Sequence, residues 1–228
     1  MSTSILLRAG LLGAAVSVLP IRLVAAQGAV TGQISILERP GDKTTDLGNT
    51  VVYLDPAAGV KPKVSPVNKS MALQSKNFSP HVTVVPAGSK IAFPNQDPFS
   101  HNVFSKAPQG GFDTDLYGRG KAKDNVFKTV GVYPLYCNVH PRMTAFVIAV
   151  ATPYFTQAGA DGRFIIDNVP AGRYVLHVWH ERGGTDSSVV DVVASGFAVP
   201  KIQLDASKWK DLPHKDKNGK DYVNGDVY

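Results

Sequence analysis

The sequence predicts an all-β protein made of two β-sandwiches. Three observations carry this. Apolar residues come in short runs, many of them alternating with polar ones, the pattern of half-buried strands. Turn residues interrupt these runs throughout, with 16 prolines and 21 glycines in 228 residues. No stretch keeps the longer period of an amphipathic helix. An apolar fraction of 43% is ample for packed cores, and the length suits one large or two small domains.

Residues 1–26 are expected to be a secretory signal peptide. Arg8 precedes an apolar run from Ala9 to Leu19, and Val24-Ala25-Ala26 offers the small residues of a cleavage site. The run is too short for a bilayer span, and Pro20 and Arg22 interrupt it. The expected location is therefore the periplasm, with no stable membrane anchor. Strands follow at 30–37 and 50–54, the second closed by Asp55-Pro56, and 57–70 reads as a Pro, Lys and Ser-rich linker. A second β block opens near Met71, with strands at 82–85, 90–93 and 102–105. Residues 106–125 are glycine-rich and read as an irregular excursion, before strands at 126–130, 132–136 and 144–150. Beyond Thr152, Asp161-Gly162 marks a hairpin turn, and runs at 164–166, 174–179, 188–193 and 199–204 are short strands. Residues 206–228 are rich in Lys, Asp and Asn and read as a polar C-terminal tail.

The strands before residue 57 have no evident partners inside the 71–150 block, which looks complete. The last strands make only part of a sandwich. We therefore expect 28–56 and 152–205 to form one split sandwich, with 71–150 inserted between its halves; two tandem domains are the alternative.

Without Arg8 and Arg22 the 24 basic residues fall to 22 against 18 acidic ones, a mild net charge of +4 with no dense cluster. Nucleic-acid binding is not expected. The chain has one cysteine, Cys137, so an exported form has no internal disulfide and its thiol needs protection by burial or by a metal.

The neighbours of Cys137 favour the metal. Cys137-Asn138-Val139-His140-Pro141-Arg142-Met143 sets a thiolate, an imidazole and a thioether at intervals of three, in a loop that can aim all three at one point. His101 brings a second imidazole from an earlier loop. Two histidines, a cysteine and a weak axial methionine are the donor set of mononuclear type 1 (blue) copper sites. The metal ligands expected are His101, Cys137, His140 and Met143, with one copper per chain.

On these residues the 71–150 block resembles the cupredoxins, and within them the amicyanin and plastocyanin group. The Cys-x-x-His-x-x-Met spacing and the proline after the histidine match, as does His101-Asn102-Val103. The string from Phe93 to Ser105 resembles bacterial methylamine-utilisation proteins. The resemblance implies a Greek-key sandwich, and it gives Asn102 the role of tying the two ligand loops together by hydrogen bonds. Asn95 is a second supporting residue. It also implies that His140 reaches the surface through an apolar patch with Pro141, Pro98 and Phe99. Arg142 stands where amicyanin carries an aromatic residue, and is expected either to steer an acidic partner or to be an ordinary solvated loop residue. The 152–205 block resembles the carboxypeptidase-regulatory, transthyretin-like sandwich, through Asp161-Gly162-Arg163-Phe164 and Val169-Pro170-Ala171-Gly172-Arg173-Tyr174.

The function expected is transfer of single electrons between redox partners, a cytochrome c or a dehydrogenase, and not enzymic catalysis. The alternative is a non-redox copper-holding or binding module with a structural copper site. A cysteine hydrolase is disfavoured because His140 shares the short loop of the thiol. A c-type haem needs a second cysteine. His81, His177, His180 and His214 are scattered, which disfavours a second copper centre. His81 and His214 are expected in solvent, His177 and His180 on a strand face, and Tyr174 and Trp179 in a sandwich core.

Overall fold

The computed structural model describes residues 27–57 and 61–222, and the expected leader lies outside them. The chain is all-β. Two long strands come first, β1 (Gln27–Leu37) and β2 (Val51–Pro56). Ten follow in the middle of the chain: β3 (Asn68–Ser70), β4 (Ala72–Gln74), β5 (Asn77–Ser79), β6 (Val82–Pro86), β7 (Ser89–Pro94), β8 (Phe104–Ser105), β9 (Phe112–Asp113), β10 (Ala122–Phe127), β11 (Gly131–Cys137) and β12 (His140–Val150). Six close the chain: β13 (Phe155–Gln157), β14 (Arg163–Pro170), β15 (Gly172–His180), β16 (Gly184–Val192), β17 (Phe197–Ala198) and β18 (Ile202–Asp205).

Among the described residues, the middle strands pair only with one another. One sheet runs β10-β7-β3, the other β6-β12-β11-β8-β9, and β4 pairs with β5 as a small hairpin. Their shared core holds Phe93, Phe127, Tyr133 and Leu135, all but fully buried. The first two strands pair across this block with five of the last six, and β16 adds to β15 at the edge. β1 runs antiparallel to β14, with Val30 opposite Ile166, and parallel to β18, with Ile34 opposite Ile202. β2 lies between β13 and β15, with Leu54 opposite Leu176. Ile34, Leu54, Phe164 and Leu176 belong to this second core. Asp161-Gly162 makes the expected turn: Gly162 takes φ +76°, and a Cβ there would collide with the Ile34 carbonyl oxygen.

β12 explains how the two sandwiches adhere. Side chains alternate across a strand, so Met143, Ala145, Val147 and Ala149 enter the first core. Ile148 and Val150 point the other way, into a second apolar cluster with Val82, Val84, Val51 and Trp179. A strand covered on both faces reads as a continuous apolar run, which is what Thr144–Val150 is. Trp179 is thus a junction residue rather than the core of one sandwich, its ring 5.1 Å from that of Phe146. Burying side chains of this size contributes about 1.5–3 kcal/mol each. His81, expected in solvent, lies at the same junction, with Nε2 2.6 Å from a Glu181 carboxylate oxygen.

The second sandwich also carries an ion cluster. Arg182 donates two hydrogen bonds to Glu38, both 2.8 Å, and two to Asp46 at 2.7 and 2.6 Å. Trp209, at the base of the tail, lies against its guanidinium, 5.7 Å from carbon to ring centroid. His180 is fully buried beside Asp46, with 3.6 Å between its Nε2 and a carboxylate oxygen.

Candidate metal centre

Cys137 ends β11 and His140 opens β12, so only Asn138 and Val139 separate them as the chain turns. The two residues pair directly, and the register slips by three between Tyr136, opposite Thr144, and Cys137, opposite His140. Such an irregularity re-aims a side chain at the end of a ladder. The strand therefore starts four residues earlier than the expected 144, and His140 and Met143 ride on it.

His101 comes from the loop between β7 and β8. Its backbone pairs with Tyr117, N–H to carbonyl at 3.1 Å and carbonyl to N–H at 2.8 Å. The 106–125 segment, expected to be irregular, supplies that tie as well as β9. The Tyr117 hydroxyl donates to the Phe93 carbonyl at 2.8 Å, and burial pushes its phenol well above the ordinary range.

These elements bring Cys137 Sγ to 3.5 Å from His101 Nδ1 and 3.6 Å from His140 Nδ1. Among the described residues, these three side chains are the one group of histidine, cysteine and carboxylate donors placed to meet at an ion. Met143 is buried in the same core cluster as Cys137. Cys137 and His101 are 0% exposed, Met143 1% and His140 2%. A first-row ion binds thiolate at about 2.3 Å and imidazole at about 2.0 Å, so donors sharing one ion lie within about 4.3 Å of each other. Both measured separations meet that bound. A thiolate, two imidazoles and a thioether are the donor set of a type 1 copper site, and the residues present fit it.

The surrounding hydrogen bonds fix each donor. His101 Nε2 lies 2.8 Å from an Asp97 carboxylate oxygen, which leaves Nδ1 turned to the thiol. Asp97 in turn accepts the backbone N–H groups of Ser75 at 2.6 Å and Lys76 at 2.9 Å. Burial pushes the Asp97 carboxyl up, but these bonds and His101 outweigh it and hold it below the ordinary range. Burial lowers the His101 imidazole, against the opposing pull of Asp97, and so favours the neutral ring that a metal needs. Asn95 accepts the Asp97 N–H at 2.9 Å and donates to the Phe99 and Tyr117 carbonyls at 2.9 and 3.0 Å. Asn102 accepts the Asn138 N–H at 2.7 Å and donates to Asp113 at 2.9 Å, a direct tie between the two ligand loops. Asp97 was not among the expected residues. Its one sequence signal is a carboxylate four positions before a histidine, which has no defined geometry in a loop.

The outer face of the loop differs from expectation. His140 does not reach the surface, and Pro141 is buried with it. Arg142 is bound within the chain, to Asp211 of the tail at 2.6 Å. His214, expected in solvent, donates its backbone N–H to the Pro141 carbonyl at 2.9 Å, and its Nε2 lies 3.0 Å from the His140 carbonyl oxygen. His177 stacks on Tyr53, with ring centroids 4.7 Å apart, on the second sandwich.

No family model matches the chain, and no curated protein matches it. Among solved structures it is similar to a copper-containing nitrite reductase from Thermus scotoductus, at 24% identity over 42% of this chain and 25% of that one, with a TM-score of 0.35. The chain thus spans a quarter of that enzyme's length. It is similar to amicyanin from Paracoccus versutus, at 18% identity over 43% of this chain and 98% of that one, with a TM-score of 0.34. A purple cupredoxin from Nitrosopumilus maritimus has 22% identity over 36% of this chain and 98% of its own, with a TM-score of 0.32.

Proposed function

We propose that the chain is an exported, non-enzymic electron carrier of the cupredoxin kind, holding one type 1 copper. It would exchange single electrons in the periplasm with a cytochrome c or a dehydrogenase. The observation that carries the reading is the thiol of Cys137 set 3.5 and 3.6 Å from two imidazole Nδ1 atoms in a buried cluster. His101, Cys137 and His140 would hold the metal, with the Met143 thioether as a weaker fourth donor. Copper, when bound, supplies one-electron chemistry. The chain keeps the donors in place: Asp97 orients the His101 ring, Asn102 ties the loops together, and the core around Met143 excludes water. A fixed donor set leaves little to rearrange when charge changes, and a buried one leaves little room for a substrate.

The test is the electronic spectrum of the protein titrated with Cu(II). One equivalent is expected to give an intense visible thiolate-to-copper band that bleaches and returns through a reversible one-electron cycle. A tightly held, colourless Cu(I) that resists oxidation would instead identify a copper-holding protein.

Asp97→Asn keeps the shape but removes the charge that orients His101. Metal affinity is expected to fall about ten- to a hundredfold, as for other residues that orient a ligating histidine. Competition with a chelator of known affinity measures it, and unchanged affinity would remove Asp97 from the site.

A further inference from the structure

The tail is not a free polar extension. From Ala206 to Tyr222 it leaves the second sandwich and lies across the loop that carries Cys137, His140 and Met143. Its root is held by Trp209 against Arg182. Further on, four successive contacts fall on the loop. Asp211 pairs with Arg142 at 2.6 Å, and His214 bonds the carbonyls of both His140 and Pro141. The Lys217 N–H donates to Asn138 Oδ1 at 2.8 Å, and the Tyr222 hydroxyl donates to the Cys137 carbonyl at 3.2 Å. Only Val139 of the residues from 137 to 142 lacks a polar contact to the tail among these. The His214 ring also lies 4.6 Å from that of Tyr136 and 5.6 Å from that of Tyr222. Asp216 accepts the N–H groups of Asn218 and Lys220 at 2.8 and 2.7 Å, a turn that brings the chain back to deliver Tyr222.

We infer that residues 206–222 are a built-in lid over the outer face of the ligand loop, which must lift before a reactant reaches the edge of the cluster. The fastening explains how the segment is seated and how it can open. Three inward rings, Trp209, His214 and Tyr222, give the lid its register. Most of the remaining lid residues are exposed, no stretch belongs to a sheet, and Arg142 and Asp211 pair with 62% and 65% of their side chains in solvent. Segments held by few buried contacts and solvent-facing hydrogen bonds open locally, well before the whole fold does. Lys217 adds a second exposed ion pair, 2.8 Å from Asp113, and such pairs weaken with salt. The purpose of the lid rests on the electron-carrier reading; its existence does not, and the test separates the two.

The test uses metal-free full-length protein and the rate at which uncharged iodoacetamide alkylates Cys137, the only thiol in the chain. Replacing His214 and Tyr222 together by alanine is expected to speed alkylation about tenfold, while Lys210→Ala, on the exposed side of the lid, leaves it unchanged. Raising the salt concentration is expected to speed the reaction of the unmodified chain. Hydrogen exchange is expected to show the His214 and Lys217 amides protected. Equal alkylation rates for the double variant and the unmodified chain, or amides at 214 and 217 that exchange as in an unfolded peptide, would overturn the lid whatever metal the protein binds. If the double variant fails to fold, the salt series and the amide exchange on the unmodified chain decide the matter.

Discussion

Replacing Cys137 by serine is expected to abolish the visible absorption of the copper-loaded protein completely while leaving the far-ultraviolet dichroism of the β-sheets in place. The band depends on a thiolate bonded to Cu(II), and Cys137 is the chain's only cysteine, so no other residue can replace it. The fold survives because serine has nearly the shape of cysteine, and the strand ladder from Gly131 to Tyr136 does not involve the side chain. The cost is a hydroxyl in a site with no exposed surface, about 1–3 kcal/mol if it finds no partner. Absorption and dichroism of the same sample decide it: a variant that stays blue removes Cys137 from the metal.

The second large effect is at Arg182. Its side chain is 15% exposed and faces Glu38 at 10% and Asp46 at 24%. Arg182→Ala would leave two carboxylates facing each other with no cation between them. Breaking a buried ion pair from one side costs about 3 kcal/mol or more. For a chain of this size, that lowers the melting temperature by about 6–12 °C. The pH dependence follows from the two acids. The hydrogen bond from Arg182 holds the Glu38 carboxyl below its ordinary 4.5, and burial only partly offsets it. At Asp46 burial is the largest influence and acts upward, but Arg182 and His180 together hold it below its ordinary 3.8. Groups held low in the folded protein stabilise it above their ordinary values, and that stabilisation is lost as the pH falls through the folded ones. The gap between the unmodified chain and the variant is therefore expected to be full at neutral pH and to narrow as the pH falls below 4.5 and then 3.8. Thermal melts at pH 7 and pH 3.5 measure it. A gap of the same size at both would show that the loss comes from packing against Trp209 and not from charge.

What the sequence made legible is what depends on neighbours in the chain. The run from Thr144 to Val150 announces a strand because burial on both faces demands apolar residues throughout. Asp161-Gly162 announces its turn because only a residue without a Cβ fits against Ile34. The loop from Cys137 to Met143 displays its donor types at a spacing that the β11–β12 turn then uses. Positions that depend on distant chain were not legible. Pro141 read as a loop residue, yet His140 already pairs with Cys137, and the strand starts there. Asp97 matters through the ring of His101, and nothing local marks it. His214 looked solvated because its surroundings are polar in sequence, whereas its contacts come from a loop more than seventy residues earlier.

The pairing of β1 with β14 and β18 also governs the order in which the chain can assemble. Val30 finds Ile166, and Ile34 finds Ile202, only after the whole middle of the chain has been made. The middle strands need no such wait, since every ladder among them closes within residues 68–150. Closing a long loop costs entropy that grows slowly with its length, but the search it imposes slows folding in proteins rich in distant contacts. The middle sandwich is thus free to fold first, its compact form shortening the gap that β1 must bridge. Until then β1 and β2 are strands with open edges, prone to pair with other chains. In a cell, refolding yield should depend on concentration through these two strands, whatever the state of the metal site.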